Sequence, residues 1–375
     1  MLRPIDPHVF VGYDADLQRG QLMDRRDRFI ASVQLAGAEV DAHCINPGRM
    51  EAFVEPGAHV WLLPASNEAR KLKYSWEAIE RIGVGGVPII CGANTVRPNR
   101  LVRAALEARC LSGLDKWATI KAEPSFDIVT KAGSKHSGRS DFLLSAGIDG
   151  QHGQHFIEVK NCHLVYEDGF GYFPDSVSER ASRHMEALTA LVERGHRSTV
   201  IFVVQREDVV HGVRPSAFHD PQFAAAARRA AAAGVRFRAL KASVGVDGTR
   251  LTHEMPVDLS DAAVADDTLH AVAREWEANR SKTGWTRSMS GERVANGPFP
   301  HHVAAAKRAA KAAREEAKAA APPKATPRTK AAAKAAAKAA ADPVQTEGSA
   351  PSTVTKRKGN KRKFSPNAAD NGAEQ

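Results

Sequence analysis

Asp141, Glu158 and Lys160 are the residues of this 375-residue chain whose types and spacing could do chemistry. Asp141 lies in the run Arg139-Ser140-Asp141-Phe142-Leu143 that opens one expected strand, and Ile157-Glu158-Val159-Lys160-Asn161 ends the next. Side chains alternate across a strand, so Glu158 and Lys160 project from one face, and Asp141 can meet them from the neighbouring strand. Two carboxylates converging beside an ammonium are costly to hold together unless a divalent cation sits between their oxygens. Mg2+ (or Mn2+), which takes a few carboxylates plus water, suits them. Phosphodiester hydrolysis needs a metal to neutralise charge on the phosphate, a nucleophilic water, and a group that orients or deprotonates that water. In that reading Asp141 and Glu158 hold the metal and Lys160 positions water or offsets charge in the transition state. Glu123, on the preceding strand, completes the site or positions a second metal. An Asp followed at a distance by Glu-x-Lys is a weak motif by itself, and Asp141 paired with Arg139 or Lys160 as an ordinary strand-end charge is the plain alternative.

The elements that must position these residues alternate from residue 99 onward. Residues 101–111 have helical period; 119–126, 140–144 and 155–159 read as strands. Residues 177–193 form a helix, 198–204 (STVIFVV) a buried strand, 221–233 a helix and 235–240 a strand. This order predicts an α/β domain around a mixed sheet. Before it, residues 28–35, 39–44, 59–63, 75–82 and 87–91 are short alternating runs punctuated by Asn46, Pro47, Gly48, Pro56 and Gly57. Five such strands suggest a small barrel, of which the OB fold is the commonest that binds nucleic acid. The expected organisation is an N-terminal extension (1–17), an OB-like domain (18–97), a nuclease-like domain (98–250), a linker (251–300) with one helix, and a tail (301–375).

Charge separates the tail from the rest. Residues 301–375 hold 11 Lys and 5 Arg against 6 acidic residues, the whole net charge of +10, while residues 1–300 are balanced at 37 of each sign. The tail is Ala/Lys/Pro-rich, with Ala-Lys stretches at 304–321 and 331–341 and the cluster Lys356, Arg357, Lys358, Lys361, Arg362 and Lys363. Without apolar periodicity, and interrupted by Pro322, Pro323 and Pro327, it is expected to be disordered and able to become helical on a polyanion. A solubilising tail with no partner is the simpler reading. If the tail neutralises phosphates, deleting 301–375 will flatten the dependence of nucleic-acid affinity on salt, measured by anisotropy of a labelled oligonucleotide. An unchanged slope would assign the tail no part in binding.

A 43% hydrophobic composition allows a sizeable core. No run of about 18 apolar residues occurs, and the start Met1-Leu2-Arg3-Pro4-Ile5-Asp6-Pro7 lacks a basic-then-apolar leader. The expectation is a cytoplasmic protein, nucleoid association being compatible with the basic tail, with no membrane partner. Cys44, Cys91, Cys110 and Cys162 lack CxxC pairing and are expected as free thiols in a reducing compartment.

The chain resembles the sugar fermentation stimulation protein A (SfsA) family over roughly residues 17–245. The matching segments are RFIASV (28–33), HCINPGRM (43–50), KLKYSWE (71–77), NT (94–95) with PNRLV (98–102), SDF (140–142), IEVK (157–160), YFPD (172–175), ER (179–180) and RH (183–184). Several motifs in the right order are far more specific than any one of them. The resemblance implies an OB-like N-terminal domain, a C-terminal domain of the PD-(D/E)xK nuclease type, DNA binding, and a link to regulation of sugar use. Asp141, Glu158 and Lys160 match the nuclease signature, and Glu123 matches a glutamate in the strand before it. Where the family helix carries Gly-x-Lys-His, this chain has Ala181, Ser182, Arg183 and His184, keeping charge but losing the glycine. The family lacks the basic tail.

Other residues are candidates for nucleic-acid contact. His43, Asn46 and Arg49 lie in a turn after a barrel strand, where Asn46 or His43 could equally cap the turn. Arg70, Lys71 and Lys73 with Tyr74 and Trp76 combine cations and aromatic faces as single-strand binders do, although Trp76 is favoured as core. Asp175 is placed to cap the following helix, on which Arg180 and His184, four apart, share a face toward phosphate. Arg139 and Arg183 complete the set. The function expected is therefore a Mg-dependent DNA/RNA nuclease, DNA being the preferred partner. The alternative is a non-catalytic DNA-binding regulator of sugar-utilisation genes that keeps a nuclease fold. A homodimer is compatible with either, and nothing in the sequence fixes the oligomeric state.

Overall fold

The computed structural model describes residues 3–261 except 7, 27, 51–52, 130–132, 134 and 147–152, together with scattered positions from 268 to 294. The tail and its cluster Lys356 to Lys363 lie outside the described residues, as does most of the expected linker.

Two short strands, β1 (Arg3–Pro4) and β2 (Phe10–Gly12), precede the barrel, which is built from β3 (Gln18–Arg26), β4 (Ile30–Leu35), β5 (Ala38–Cys44), β6 (His59–Pro64) and β7 (Tyr74–Ile82). These pair in the order β5-β4-β3-β6-β7, and a parallel pairing of β5 with β7 closes the ring, giving the five-stranded OB barrel. β8 (Pro88–Gly92) pairs with β7 outside the ring. Of the five expected strands, the 87–91 run is thus a flank, and β3 is the ring strand that periodicity missed. Its sequence QRGQLMDRR buries only Gly20, Leu22 and Arg25, and a register shift between Leu22 and Asp24 breaks the two-residue period. Gly20 is required there: a Cβ would stand 2.5 Å from Val33 Cγ1. The barrel core gathers Leu22, Val33, Phe53, Leu62, Ile79 and a fully buried Trp76, whose Nε1 donates to the Ala78 carbonyl at 2.9 Å.

The second lobe comprises α1 (Arg97–Glu107), β9 (Thr119–Ala122), β10 (Ser125–Val129), β11 (Lys135–Arg139), β12 (Phe142–Ser145), β13 (His155–Cys162), β14 (Leu164–Val165), β15 (Phe170–Phe173), α2 (Glu179–Glu193), β16 (Arg197–Val204), β17 (Gly212–Pro215), α3 (Pro221–Ala232), β18 (Arg236–Val244) and β19 (Gly248–Met255). Its mixed sheet runs β1-β19-β18-β16-β13-β12-β9, with β13, β16 and β18 parallel at the centre. β16 is apolar on both faces because both are covered. Val200, Phe202 and Val204 pack with Met185 and Leu188 of α2 and Phe223 of α3, while Ile201 and Val203 pack with Leu101 and Val102 of α1.

Three expected boundaries move. Within the segment 1–17, β1 and β2 belong to the large sheet, since both pair with β19. The limit at residue 250 falls inside β19, which continues to Met255. Beyond it, Val257 bridges to Val213 and Asp258 pairs with Arg214 at 2.9 Å, so the start of the expected linker is docked on the lobe. The single strand expected at 119–126 is two strands, and β11, β14, β15, β17 and β19 are additional.

Candidate functional site

Asp141 precedes β12 directly and is fixed by its own backbone: its N–H donates to the Ile157 carbonyl at 3.1 Å and its carbonyl accepts from Glu123 N at 2.9 Å. Its Oδ2 accepts from Val159 N at 2.7 Å and its Oδ1 from Asn99 Nδ2 at 2.7 Å, so β13 and α1 together aim the carboxylate. Glu158 and Lys160 lie on the same face of β13, and the Lys160 ammonium pairs with Glu158 Oε1. His184 of α2 reaches the same oxygen through Nδ1. The plain alternative of Asp141 paired with Arg139 does not occur; Arg139 pairs with Glu123 instead.

Asp141, Glu158 and Lys160 line a cleft of about 470 Å³ between the lobes. The barrel contributes Arg28, Asn46 and Gly48, α1 contributes Asn99, and the segment before α2 contributes Asp175 and Arg180. Burial, and next to it the Glu158 carboxylate, raise the Asp141 pKa. Burial alone would raise Glu158 too, but the Lys160 ammonium and the His184 imidazole override it and hold Glu158 below the ordinary carboxylate value. The cleft thus contains one carboxylate held as an anion and a second whose ionisation burial and the neighbouring carboxylate disfavour.

Glu123 does not join them. β9 ends at Ala122, Glu123 turns the chain at φ 47°, and its side chain, 73% exposed, pairs with Arg139 at 3.1 Å outside the cleft. Of the expected nucleic-acid contacts, Arg180 lines the cleft, Arg70 lines a second cavity beside it, and Arg49 is buried. Lys71 and Lys73 are exposed on the barrel, and Lys73 is bonded to the Glu68 carbonyl. Arg183 faces Glu179 at 3.9 Å, away from the cleft, and His184 is turned inward onto Glu158. Asn46 is a turn residue: its Oδ1 accepts from Gly48 N and its Nδ2 donates to the Ala93 carbonyl.

Asn99, His163 and Asp175 were not expected as site residues. Asn99 sits in the first turn of α1, where a polar side chain in the PNRLV run that resembles the family is the only signal. Asp175 does not cap α2. Ser178 does, accepting from Ala181 N at 3.2 Å, while Asp175 crosses to the barrel loop and accepts from Met50 N at 2.8 Å, with His163 Nε2 at 3.4 Å. A Cβ on Gly48 would stand 2.7 Å from Asp175 Oδ2, so the latch also requires that glycine.

Burial works to raise the Asp175 pKa, but His163 and the Met50 N–H pull it well below the ordinary carboxylate range. The folded pKa is depressed, so its stabilisation is present above about pH 4, the ordinary Asp value, and is lost as pH falls toward the folded one. Asp175→Asn is expected to lower stability at neutral pH and to flatten the acid limb of a denaturant-derived stability curve. An acid limb as steep as in the parent would refute the latch.

Comparison with known proteins follows the same two-lobe division. The SfsA N-terminal OB domain matches residues 23–86, and the sugar fermentation stimulation protein RE domain matches residues 96–248. Sugar fermentation stimulation protein homologs from Methylobacterium nodulans and Chromohalobacter salexigens are 39% and 41% identical over 250 and 251 residues. Those matches cover 65% of this chain and 98% and 94% of the relatives. The chain belongs to the sugar fermentation stimulation protein family. The SfsA of Pyrococcus furiosus, solved in complex with Ca2+, superimposes with a TM-score of 0.57 at 24% identity, covering 66% of this chain and 98% of that one. The family match ends before the tail, so residues 301–375 are an addition to the SfsA body. Among the described residues no helix is long and apolar enough to cross a membrane.

Proposed function

We propose that this SfsA-family protein binds nucleic acid between its lobes and hydrolyses phosphodiester bonds there with a divalent cation, as a nuclease of the PD-(D/E)xK type. The observation that carries this reading is the convergence of Asp141, Glu158 and Lys160 on one cleft, with the two carboxylates near enough for one to disfavour ionisation of the other.

That donor chemistry fits a hard cation which takes a few carboxylate oxygens and completes its shell with water. Asp141 and Glu158 would hold Mg2+ or Mn2+, without a third acidic ligand: among the described residues no three His, Cys, Asp or Glu side chains cluster as a metal cage. The Ca2+ bound by the Pyrococcus furiosus relative is a cation of the same oxygen-seeking class. When bound, the cation supplies charge neutralisation at a phosphate oxygen and acidifies a water. The protein's own groups do the rest. Lys160 offsets negative charge gathering on the phosphate, and His184 keeps Glu158 oriented and ionised. Asn99 and the Val159 N–H fix the direction of Asp141, and Arg180 at the rim offers a phosphate contact.

A second reading has its own observation. Each carboxylate oxygen of Asp141 and one of Glu158 already holds a partner within the chain, an arrangement that also suits a regulator which binds DNA in the cleft and leaves it intact. Incubation of labelled single-stranded DNA, duplex DNA and RNA with Mg2+, Mn2+ or EDTA separates the two. Metal-dependent shortening is the expected result. Retention of every substrate uncut, with equal affinity in EDTA, would leave the binding protein.

A further inference from the structure

A second cavity of about 320 Å³ lies beside the cleft, and neighbours in the chain line the two. Along the barrel loop Ile45 lines the cavity and Asn46 the cleft; at the start of α1 Val96 lines the cavity while Thr95 lines the cleft; one turn on, Arg100 lines the cavity and Asn99 the cleft. Thr95 fastens the wall between cavity and cleft, its N–H and Oγ1 both donating to the Ile45 carbonyl at 3.1 and 2.7 Å.

The cavity's chemistry is divided. Leu63, Pro64 and Val96 give it an apolar side, and Val96 is 46% exposed. Its floor is the Glu77–Arg97 ion pair at 3.0 Å, both residues buried, so their charges are spent on each other. Its rim carries Arg70 and Arg100. Arg70 donates to the Ser75 hydroxyl at 3.2 Å, and the carboxylate facing Arg100, Asp14, is 4.0 Å away and largely exposed. Neither guanidinium is committed to a carboxylate at hydrogen-bond distance, and Arg70 adds to burial in lowering the His43 pKa. Apolar area for a base, two cations for phosphate and a volume at the small-ligand end of pocket sizes describe a receptor for one nucleotide; a duplex would not enter it.

We propose that this cavity is a nucleotide subsite, receiving one unpaired nucleotide of a single strand whose neighbouring phosphodiester lies in the cleft of Asp141 and Glu158. The inference rests on the nucleic-acid reading above and narrows its substrate to single-stranded or locally melted chains. The strand crosses the Ile45–Thr95 wall, its base lies against Leu63, Pro64 and Val96, and its phosphate meets Arg70 and Arg100.

The test uses the full chain in EDTA, with labelled oligothymidylate and a duplex of equal length, followed by anisotropy over a range of salt. Arg70→Ala/Arg100→Ala is expected to flatten the salt dependence of single-strand affinity by about 0.7 in logarithmic slope, the value for one phosphate no longer neutralised. Duplex binding should change far less. Arg103→Ala is the control, since Arg103 is on the same helix, pairs with Glu107 and does not line the cavity. A double variant that behaves like the control, or that loses duplex and single strand equally, overturns the subsite. Should the double variant not fold, 4-thiothymidine cross-linking of the unaltered protein decides. Adducts at residues 63–66 or 96 are expected, and adducts confined to other segments overturn the proposal. Failure to cleave with any metal while slope change and adducts hold removes the hydrolase reading alone. Cleavage without them removes the subsite alone. Absence of binding by any oligonucleotide removes both.

Discussion

Glu158→Gln is expected to reduce metal-dependent cleavage by about a thousandfold or more, at the upper end of what loss of one charge-stabilising group at a reacting centre costs. The substitution keeps the shape of the side chain and removes its charge, and three functions depend on that charge. It pairs with Lys160, it receives His184, and with Asp141 it forms the anionic pair that would hold a divalent cation. Affinity for uncut strand in EDTA should be unchanged or tighter, because a carboxylate facing the phosphates is gone. Lys160→Ala should show a loss of the same direction and smaller size, about a hundredfold, since the ammonium offsets negative charge that a bound cation would still partly neutralise. Single-turnover cleavage of an end-labelled strand, beside a circular-dichroism check of folding, measures both. Parental rates in Glu158→Gln would assign any cleavage to another site or to a contaminant, and the cleft would then be read as a binding groove.

The convergence on that cleft was legible in the sequence because it follows from strand alternation, which holds for Glu158 and Lys160 in the middle of a paired strand. The placement of Glu123, one residue past a strand end, does not hold. Glu123 is expected at the site from its place on the preceding strand and from the family resemblance, but the chain has already turned there at a left-handed φ and sends the side chain outward. Helical spacing put Arg180 and His184 on one face, and both do point to the site, although His184 serves a carboxylate and not a phosphate. A count of charges cannot distinguish these, since a cation near a cleft meets whichever anion the fold presents first. β16 was recognisable from composition because both its faces are buried, whereas β3 was hidden by its arginines, one of which, Arg25, turns inward to hold the carbonyls of Arg28, Asn46, Gly48 and Arg49. The latch of Asp175 on Met50 spans 125 residues, and no local pattern in either segment announces the other. Contacts between lobes depend on how two finished surfaces meet, which is the part of a fold that periodicity does not encode.

The largest loss of stability is expected at the Glu77–Arg97 pair, where Glu77→Ala should cost about 3–5 kcal/mol, as removal of one partner from a buried ion pair does. Arg97 is committed four ways. Its Nε donates to Glu77 Oε2 at 3.0 Å, its Nη1 to the carbonyls of Val11 and Gly12 at 3.1 and 2.9 Å, and its guanidinium lies 3.7 Å from the centroid of the Tyr13 ring. Glu77 also accepts from Asn94 Nδ2 at 2.8 Å through its other oxygen. The pair therefore joins barrel strand β7, the start of α1, and β2 with Tyr13 directly after it. With side chains 2% and 4% exposed, water cannot replace the lost partner, and Arg97 would be left as a charge enclosed among groups that only partly satisfy it. Denaturant unfolding should show the cost as a lower midpoint. Removing both charges together, as in Glu77→Gln/Arg97→Met, should cost less than Glu77→Ala if the stranded guanidinium is the cause, because the double variant leaves no buried charge behind. A double variant at least as unstable as the single one would instead assign the stabilisation to the bonds Arg97 makes with Val11 and Gly12, and the pair itself would be incidental. The floor of the second cavity is this same pair, so a loosened Glu77→Ala protein should also lose single-strand affinity before it loses its fold.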